Sequence, residues 1–229
     1  MRISVIIPTF NEAERIGNLI DYLILNKTNS DVEIIVVDGG SDDKTVEIAN
    51  SKNVKVELVK EKGRANQMNQ GAAIASGDIF YFVHADTLPP ASYPNCIKES
   101  IFNGFTSGCC AYKFDSDKIL LRVNEQFTKF NGIFTGGGDQ TLFVTKAIYN
   151  KTKGFNPDFV IMEDFEFYKR LKRISKFKII QSKATVSARK YEKNSYLRVN
   201  LANLAAMILF YLKTNPQKIN SIYKSLIKY

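Results

Sequence analysis

The sequence predicts an α/β fold: a mostly parallel central sheet with helices on both faces, followed by a helical C-terminal tail. Three observations predict it. Short β-branched apolar runs alternate with helix signals through the first half of the chain. The residues directly after those runs are polar or acidic. Residues 189–229 combine a long apolar helix stripe with strong positive charge. At 229 residues the chain fits one compact domain with an appendage better than two independent cores. The expected division is a domain over residues 1–190 and a basic amphipathic helical tail over 191–229.

Ile3 to Pro8 reads as a strand, a β-branched apolar run closed by a turn. Asn11 and Glu14 are placed to cap a helix running to about Leu25. Val32 to Val37 is apolar throughout, the pattern of a parallel strand buried on both faces. Thr45 to Ser51 is a helix, Val54 to Val59 a third strand, Arg64 to Ala75 a helix closed by Gly77, and Ile79 to Val83 a fourth strand. Such alternation implies right-handed crossovers between parallel strands. After Thr87, a helix near Tyr93 to Phe102 precedes strands around Gly108 to Phe114 and Gln140 to Thr145. Phe155 to Leu171 holds an acidic knot and then a helix, and Lys178 to Ser187 is a strand. In the helix from Tyr196 to Leu212, Leu197, Leu201, Leu204, Ala205, Ile208, Leu209 and Leu212 form one stripe.

A hydrophobic fraction of 45% with 24% charged residues excludes global disorder. The three cysteines have no zinc-site or disulfide-framework spacing, so Cys96, Cys109 and Cys110 read as core thiols. No charged segment leads into a cleavable apolar stretch, and no apolar run reaches the ~20 residues of a membrane-spanning helix. A cytoplasmic setting is expected. The net charge is +9, and residues 189–229 carry +7 of it, with eight basic side chains against Glu192 alone. A basic tail on a nearly neutral body points to anionic lipid or an acidic ligand. No nucleic-acid partner is expected, because no nucleic-acid-binding motif accompanies the charge.

On sheets of parallel strands, ligands sit beyond the carboxyl ends. The first strand ends in Pro8-Thr9-Phe10-Asn11-Glu12, the second in Asp38-Gly39-Gly40-Ser41-Asp42-Asp43, the fourth in His84-Ala85-Asp86. The second of these also reads as an Asx turn with a helix cap. What favours a cleft is the convergence of Asp38 and Asp86 on one rim. Paired carboxylates repel unless a cation or hydrogen-bonding ligand shares them. A divalent ion held by one or two carboxylates and substrate phosphates suits that arrangement. There is no GxxxxGK[ST], and no GxGxxG follows a strand, so P-loop and dinucleotide readings are unsupported.

The series Ser4-Val5-Ile6-Ile7-Pro8-Thr9-Phe10-Asn11-Glu12, Val36-Val37-Asp38-Gly39-Gly40-Ser41-Asp42-Asp43, His84-Ala85-Asp86 and Glu163-Asp164 resembles the family 2 glycosyltransferases of GT-A fold. The likeness covers roughly residues 2 to 190. The run from Gly63 to Gly71 and the Gly138-Asp139-Gln140 loop resemble a small bacterial subgroup, some of whose members are named carotenoid-acid (diaponeurosporenoate) glycosyltransferases. The resemblance implies that Pro8, Thr9, Glu12 and Asp38 hold the base and ribose and that Arg64 approaches the nucleotide. It implies a metal and diphosphate role for Asp86 within an aspartate-any-aspartate motif. Here His84 replaces that motif's first acid, so ribose contact would fall to it. Asp164, beside Glu163, takes the place of the family's general base, and Gly138, Asp139 and Gln140 stand on the acceptor side. Each residue also has a plainer reading: His84 as a packed strand-end residue, Arg64 as a first-turn helix residue, and Glu163-Asp164 as a charge pair offsetting a helix macrodipole.

The expected reaction is inverting, divalent-metal-assisted (Mg²⁺ or Mn²⁺) transfer of a sugar from a nucleoside diphosphate, UDP or GDP, to an acceptor hydroxyl. Lys62, Arg64, Arg189 and Lys190 are candidates to share the diphosphate charge. The acceptor is an alcohol or a lipid-linked glycan. The alternative is a nucleotide-sugar-binding module without turnover. For the tail, the stripe either lies on an anionic membrane at its inner face or packs on the sheet domain or a second subunit of a homodimer.

Overall fold

The computed structural model describes residues 1–27, 30–59, 61–130, 132, 135, 137 and 140–228, with the backbone alone at 127. The first half builds β1 (Ile3–Thr9), α1 (Ala13–Asn26), β2 (Val32–Asp38), α2 (Thr45–Asn50), β3 (Lys55–Leu58), α3 (Arg64–Ile74) and β4 (Ile79–Phe82). There follow β5 (Thr87–Leu88), α4 (Tyr93–Phe102), β6 (Ser107–Phe114), α5 (Ile119–Phe127), β7 (Leu142–Thr145) and α6 (Lys146–Thr152). The chain closes with α7 (Glu163–Ile174), β8 (Phe177–Val186), α8 (Arg189–Lys193), α9 (Tyr196–Tyr211) and α10 (Pro216–Leu226).

Among these residues the strands form one eight-stranded sheet in the order β3-β2-β1-β4-β7-β6-β8-β5. β1 pairs parallel with β2 and β4, and β2 with β3. All of β1 is buried because its two faces pack on different helices. Ile3, Val5 and Ile7 meet Ile16, Leu19, Ile20 and Leu23 of α1, whereas Ile6 meets Ala65, Met68 and Ala72 of α3. That two-sided burial is why the run lacks polar alternation. The α3 contact depends on a bare backbone: a Cβ at Gly71 would lie 2.4 Å from Ile6 Cγ2 and 3.0 Å from Val37 Cγ2.

β7 runs antiparallel to both β4 and β6, so β6 points the same way as β4, and β8 lies parallel to β6. The β6–β8 ladder steps from Cys110–Ile180 to Ala111–Lys183, leaving Gln181 and Ser182 unpaired in register. The carboxyl ends of β1, β2, β4, β6 and β8 therefore share one rim.

Two expectations need correction. Asn11 does not cap α1. It sits in the left-handed region at φ 55°, and its Oδ1 accepts from the Asp42 backbone N–H at 2.9 Å. The N–H of Ala13 is satisfied instead by Asp43 of the neighbouring loop, at 3.1 Å. The leucine stripe of α9 does not pack on the sheet domain. α9 buries its opposite face, Val199, Ala202, Ala206 and Phe210, against Ile219 and Tyr223 of α10 and the domain residues Phe159, Ile161 and Phe165. Small side chains on that face admit the neighbouring helix closely, and Leu197 and Leu201 are left 71% and 63% exposed.

Candidate active site

The rim brings four strand-end segments together with the N-terminus of α7. At the end of β2, Asp38 has no exposed surface. Its Oδ1 accepts from the N–H groups of Gly40 (2.9 Å) and Ser41 (2.7 Å), and its Oδ2 from the hydroxyls of Thr9 (3.0 Å) and Ser41 (2.6 Å). Gly40, at φ 87°, supplies the left-handed step that this turn requires. Pro8 and Thr9 are buried as well. Asp38 and Thr9 thus fix the shape of this turn. The carboxylate is a turn-former because its four acceptor positions are already engaged.

One residue that the sequence reading left unassigned completes this corner. Gln67 of α3 is buried, and its side-chain amide donates to the carbonyls of Thr9 (2.7 Å) and Val37 (2.8 Å), holding the ends of β1 and β2 together. Its signal was a polar residue on the same helix face as Met68 and Gly71.

Beyond β4, Asp86 accepts from Arg189 Nη2 at 3.0 Å, and the same guanidinium forks onto Glu12 at 2.7 and 3.1 Å. The Glu12 hydrogen bond is the largest cause of the raised Arg189 pKa, outweighing its partial burial. Arg189 reaches this position because Ser187, just past β8, donates its backbone N–H to the Asp86 carbonyl. Lys190 also approaches the cluster closely enough to act on His84 by its charge, and donates to the Tyr223 hydroxyl of α10 at 3.1 Å.

His84 and Asp164 approach each other at this rim. His84 Nε2 lies 3.8 Å from Asp164 Oδ2, too far for a hydrogen bond. Burial, then the positive charge of Arg64, pushes the His84 pKa down to about 4 despite the opposing pull of Asp86. The imidazole is therefore neutral at neutral pH, so the contact is not an ion pair. Glu163 is 1% exposed, and Arg64 Nε stands 2.7 Å from its Oε1. That contact is short but poorly aligned, so neither Glu163 oxygen has a hydrogen-bond donor among the described residues.

Asp38 faces its own turn, and among the described residues no three His, Cys, Asp or Glu side chains are grouped to hold a metal. Gln140 does not line an acceptor surface. It is 1% exposed and donates to the carbonyls of Cys110 and Thr128, tying the end of α5 to β6. Gly138 and Asp139 lie outside the described residues.

Next to Arg189, Asp115 accepts from the Ala188 N–H at 2.6 Å. There the end of β6, the loop after it and the C-terminal half of α5 line an open cavity of about 470 Å³ whose charged lining includes Asp115, Asp117, Arg122, Glu125 and Lys183. Both signs are present, an environment for a hydrated, hydroxyl-bearing ligand rather than an apolar one.

The fold is that of the GT-A enzymes. Staphylococcus aureus TarS bound to UDP-GlcNAc superposes with a TM-score of 0.70 at 18% identity, over 99% of this chain and 71% of that one. A mannosyltransferase of Pyrobaculum calidifontis in complex with GDP-Man and Mn²⁺ gives 0.68 at 18% identity, over 98% and 69%. Identities this low establish the shape alone. The family is fixed by sequence: residues 4–156 match the model of glycosyl transferase family 2, and the chain belongs to that family. A dolichol-phosphate mannosyltransferase of Pyrococcus furiosus is 38% identical over 110 residues, 45% of this chain and 31% of the relative. A dolichyl N-acetyl-alpha-D-glucosaminyl phosphate 3-beta-D-2,3-diacetamido-2,3-dideoxy-beta-D-glucuronosyltransferase of Methanococcus voltae is 26% identical over 191 residues, 72% of this chain and 60% of the relative. The chain thus spans less than two thirds of the length of either.

Proposed function

We propose that the chain moves a hexosyl group, with inversion, from a UDP- or GDP-sugar to an acceptor hydroxyl. The observation that carries this reading is the meeting of Asp164, His84 and Arg64 with the Asp86–Arg189 pair at the strand-end rim. Family membership and the nucleotide sugars bound by the TarS and Pyrobaculum structures support it.

Asp164 accepts the proton of the attacking hydroxyl as the new bond forms. His84, neutral at physiological pH, does not tie Asp164 up in an ion pair. Arg64 and Lys190 supply fixed positive charge where the departing diphosphate gathers negative charge. Asp86 offers a partly exposed, hard carboxylate oxygen, against which the Arg189 guanidinium rests. One carboxylate with phosphate oxygens and water completing the sphere suits Mg²⁺ or Mn²⁺. When bound on Asp86, such an ion offsets charge on the leaving group. The acceptor hydroxyl enters from the polar cavity beside Asp115 and Lys183, and its bearer is an alcohol or a lipid-linked glycan.

A nucleotide-sugar-binding module without turnover is the second reading, favoured by His84 in place of an acid. Metal-dependent cleavage of a donor separates the two. The primary test is thermal stability with UDP, GDP and their sugars, with and without Mn²⁺. A true donor at a hundredfold its Kd adds about 2.7 kcal/mol of stability, and more with the metal than without. Indifference to every nucleotide under both conditions would sink the proposal.

A further inference from the structure

Lys190 follows directly on Arg189, and its charge is felt at His84. The helix that carries it cannot place it unaided. α8 is five residues long and has no fully buried residue, and a helix this short has little stability beyond what its contacts provide. At its start Arg189 is pinned to Glu12 and Asp86. In its middle the Tyr191 ring packs edge-on against Phe114, with ring centroids 5.4 Å apart. The Lys190 side chain is tied elsewhere, to the last helix of the chain.

The anchor is Tyr223 of α10, 33 residues downstream and 7% exposed. Its hydroxyl donates to Asn203 Oδ1 of α9 at 2.9 Å and accepts from Lys190 Nζ at 3.1 Å. Because Asn203 takes the hydroxyl proton, the oxygen's lone pairs are left to face the ammonium. The ring adds a second hold, with Nζ 5.6 Å from its centroid, and is itself fixed in the cluster of Val199, Ala202 and Ile219. The main chain at Lys190 is tied to the same end of the protein. Asn194 Nδ2 donates to the carbonyls of Lys190 (3.1 Å) and Lys228 (2.8 Å), and Asn194 Oδ1 accepts from the Lys228 N–H at 2.9 Å. Side chain and main chain of Lys190 are thus both held by residues 223–228. That segment lies outside the stretch 4–156 that matches the family model.

We propose, resting on the transferase reading, that Tyr223 is a positioning residue whose hydroxyl holds the Lys190 ammonium where the departing diphosphate gathers negative charge. Tyr223 and the Asn203 behind it are neutral, so this hold leaves the lysine's charge uncancelled. Arg189 differs, because its guanidinium is already shared between two carboxylates. A lysine left to wander loses rotamer freedom when it closes on an anion, whereas one held in advance does not lose it again. The last helix is then a working part of the site, although it contributes no group that touches the nucleotide.

The test is the affinity of the full chain for UDP and GDP, each with Mn²⁺, in the parent, Y223F, K190Q and the double variant, which needs neither sugar donor nor acceptor. Y223F keeps the ring in its cluster, and Lys190 and Asn203 both reach water once the hydroxyl is gone, so the variant should fold. K190Q should weaken the nucleotide that the parent binds by roughly twentyfold. Y223F should weaken it by about fivefold, the effect of having one more long side chain to order, and should add nothing in the K190Q background. Uridine or guanosine, which carry no phosphate, should bind Y223F and parent alike. Parent-like affinity in Y223F, or losses that multiply in the double variant, would overturn the inference and leave the transferase reading standing. So would an equal loss with the nucleoside, since Tyr223 would then be structural only. A parent that binds neither nucleotide would sink the transferase reading and this inference with it.

Discussion

Arg189 reaches back 103 residues along the chain to place its guanidinium 3.0 Å from Asp86, while the same group forks onto Glu12. One side chain thereby joins the ends of β1, β4 and β8. It also keeps two carboxylates at the rim from facing each other unpaired.

Replacing Arg189 by Gln should leave Glu12 and Asp86 in need of a cation. The pair is partly exposed, so the loss of stability should be only about 1 kcal/mol. Mn²⁺ without nucleotide should raise the melting temperature of the variant more than that of the parent. An equal response in both would show that Arg189 and the metal do not compete for Asp86.

Asp164→Asn should lower kcat by roughly a hundredfold to ten-thousandfold, the range of a lost general base. Stabilisation by the donor nucleotide should persist, because Asp86, Arg64 and Lys190 are untouched. Loss of nucleotide stabilisation together with turnover would assign Asp164 a structural role.

His84 ties stability to acidity. Its pKa in the fold is about 4, against an ordinary value of about 6.5 in the unfolded chain. Below pH ~6.5 the unfolded chain takes up a proton that the folded one refuses, so stability falls as pH drops from ~6.5 towards 4. The full span amounts to roughly 3 kcal/mol. Urea titrations across this window should show a slope that His84→Asn flattens; an unchanged slope in the variant would place its origin elsewhere.

Gly71→Ala should destabilise by about 1–3 kcal/mol, the usual cost of forcing a methyl group into a filled core. The new methyl would displace α3 from Ile6 and Val37 and move Arg64 and Gln67 with it. Reduced nucleotide affinity should accompany the lower denaturant midpoint.

The first half of this fold is legible from local pattern. β1, β2 and β4 are largely apolar runs and α1 carries clear helix periodicity, whereas β3, Lys55–Leu58, alternates polar and apolar residues. The second half is not. β7 is four residues long, and nothing local says that it enters antiparallel between β4 and β6. α5 and α6 carry no side-chain acid in their first turns to announce them. At the site, His84, Asp86 and Glu12 could be placed at the rim because a strand's carboxyl end fixes where they stand. The turn that Asp38 closes was not legible, because a carboxylate at a strand end reads the same whether it faces solvent or its own turn. Arg189 was visible as charge, but its hold on Glu12 and Asp86 is a tertiary contact. The α9 stripe misled for a related reason: the helix has apolar residues on two faces, and periodicity cannot say which one meets the domain.

The ladder step between β6 and β8 has an outcome for how this chain tolerates length change. Because the excess is a pair, Ile180 before it and Ala184 and Val186 after it all remain buried. Deleting Gln181 and Ser182 together would shorten the strand yet preserve its parity. Deleting either alone would invert every side chain downstream, turning Lys183 inward and carrying Arg189 away from both of its carboxylates.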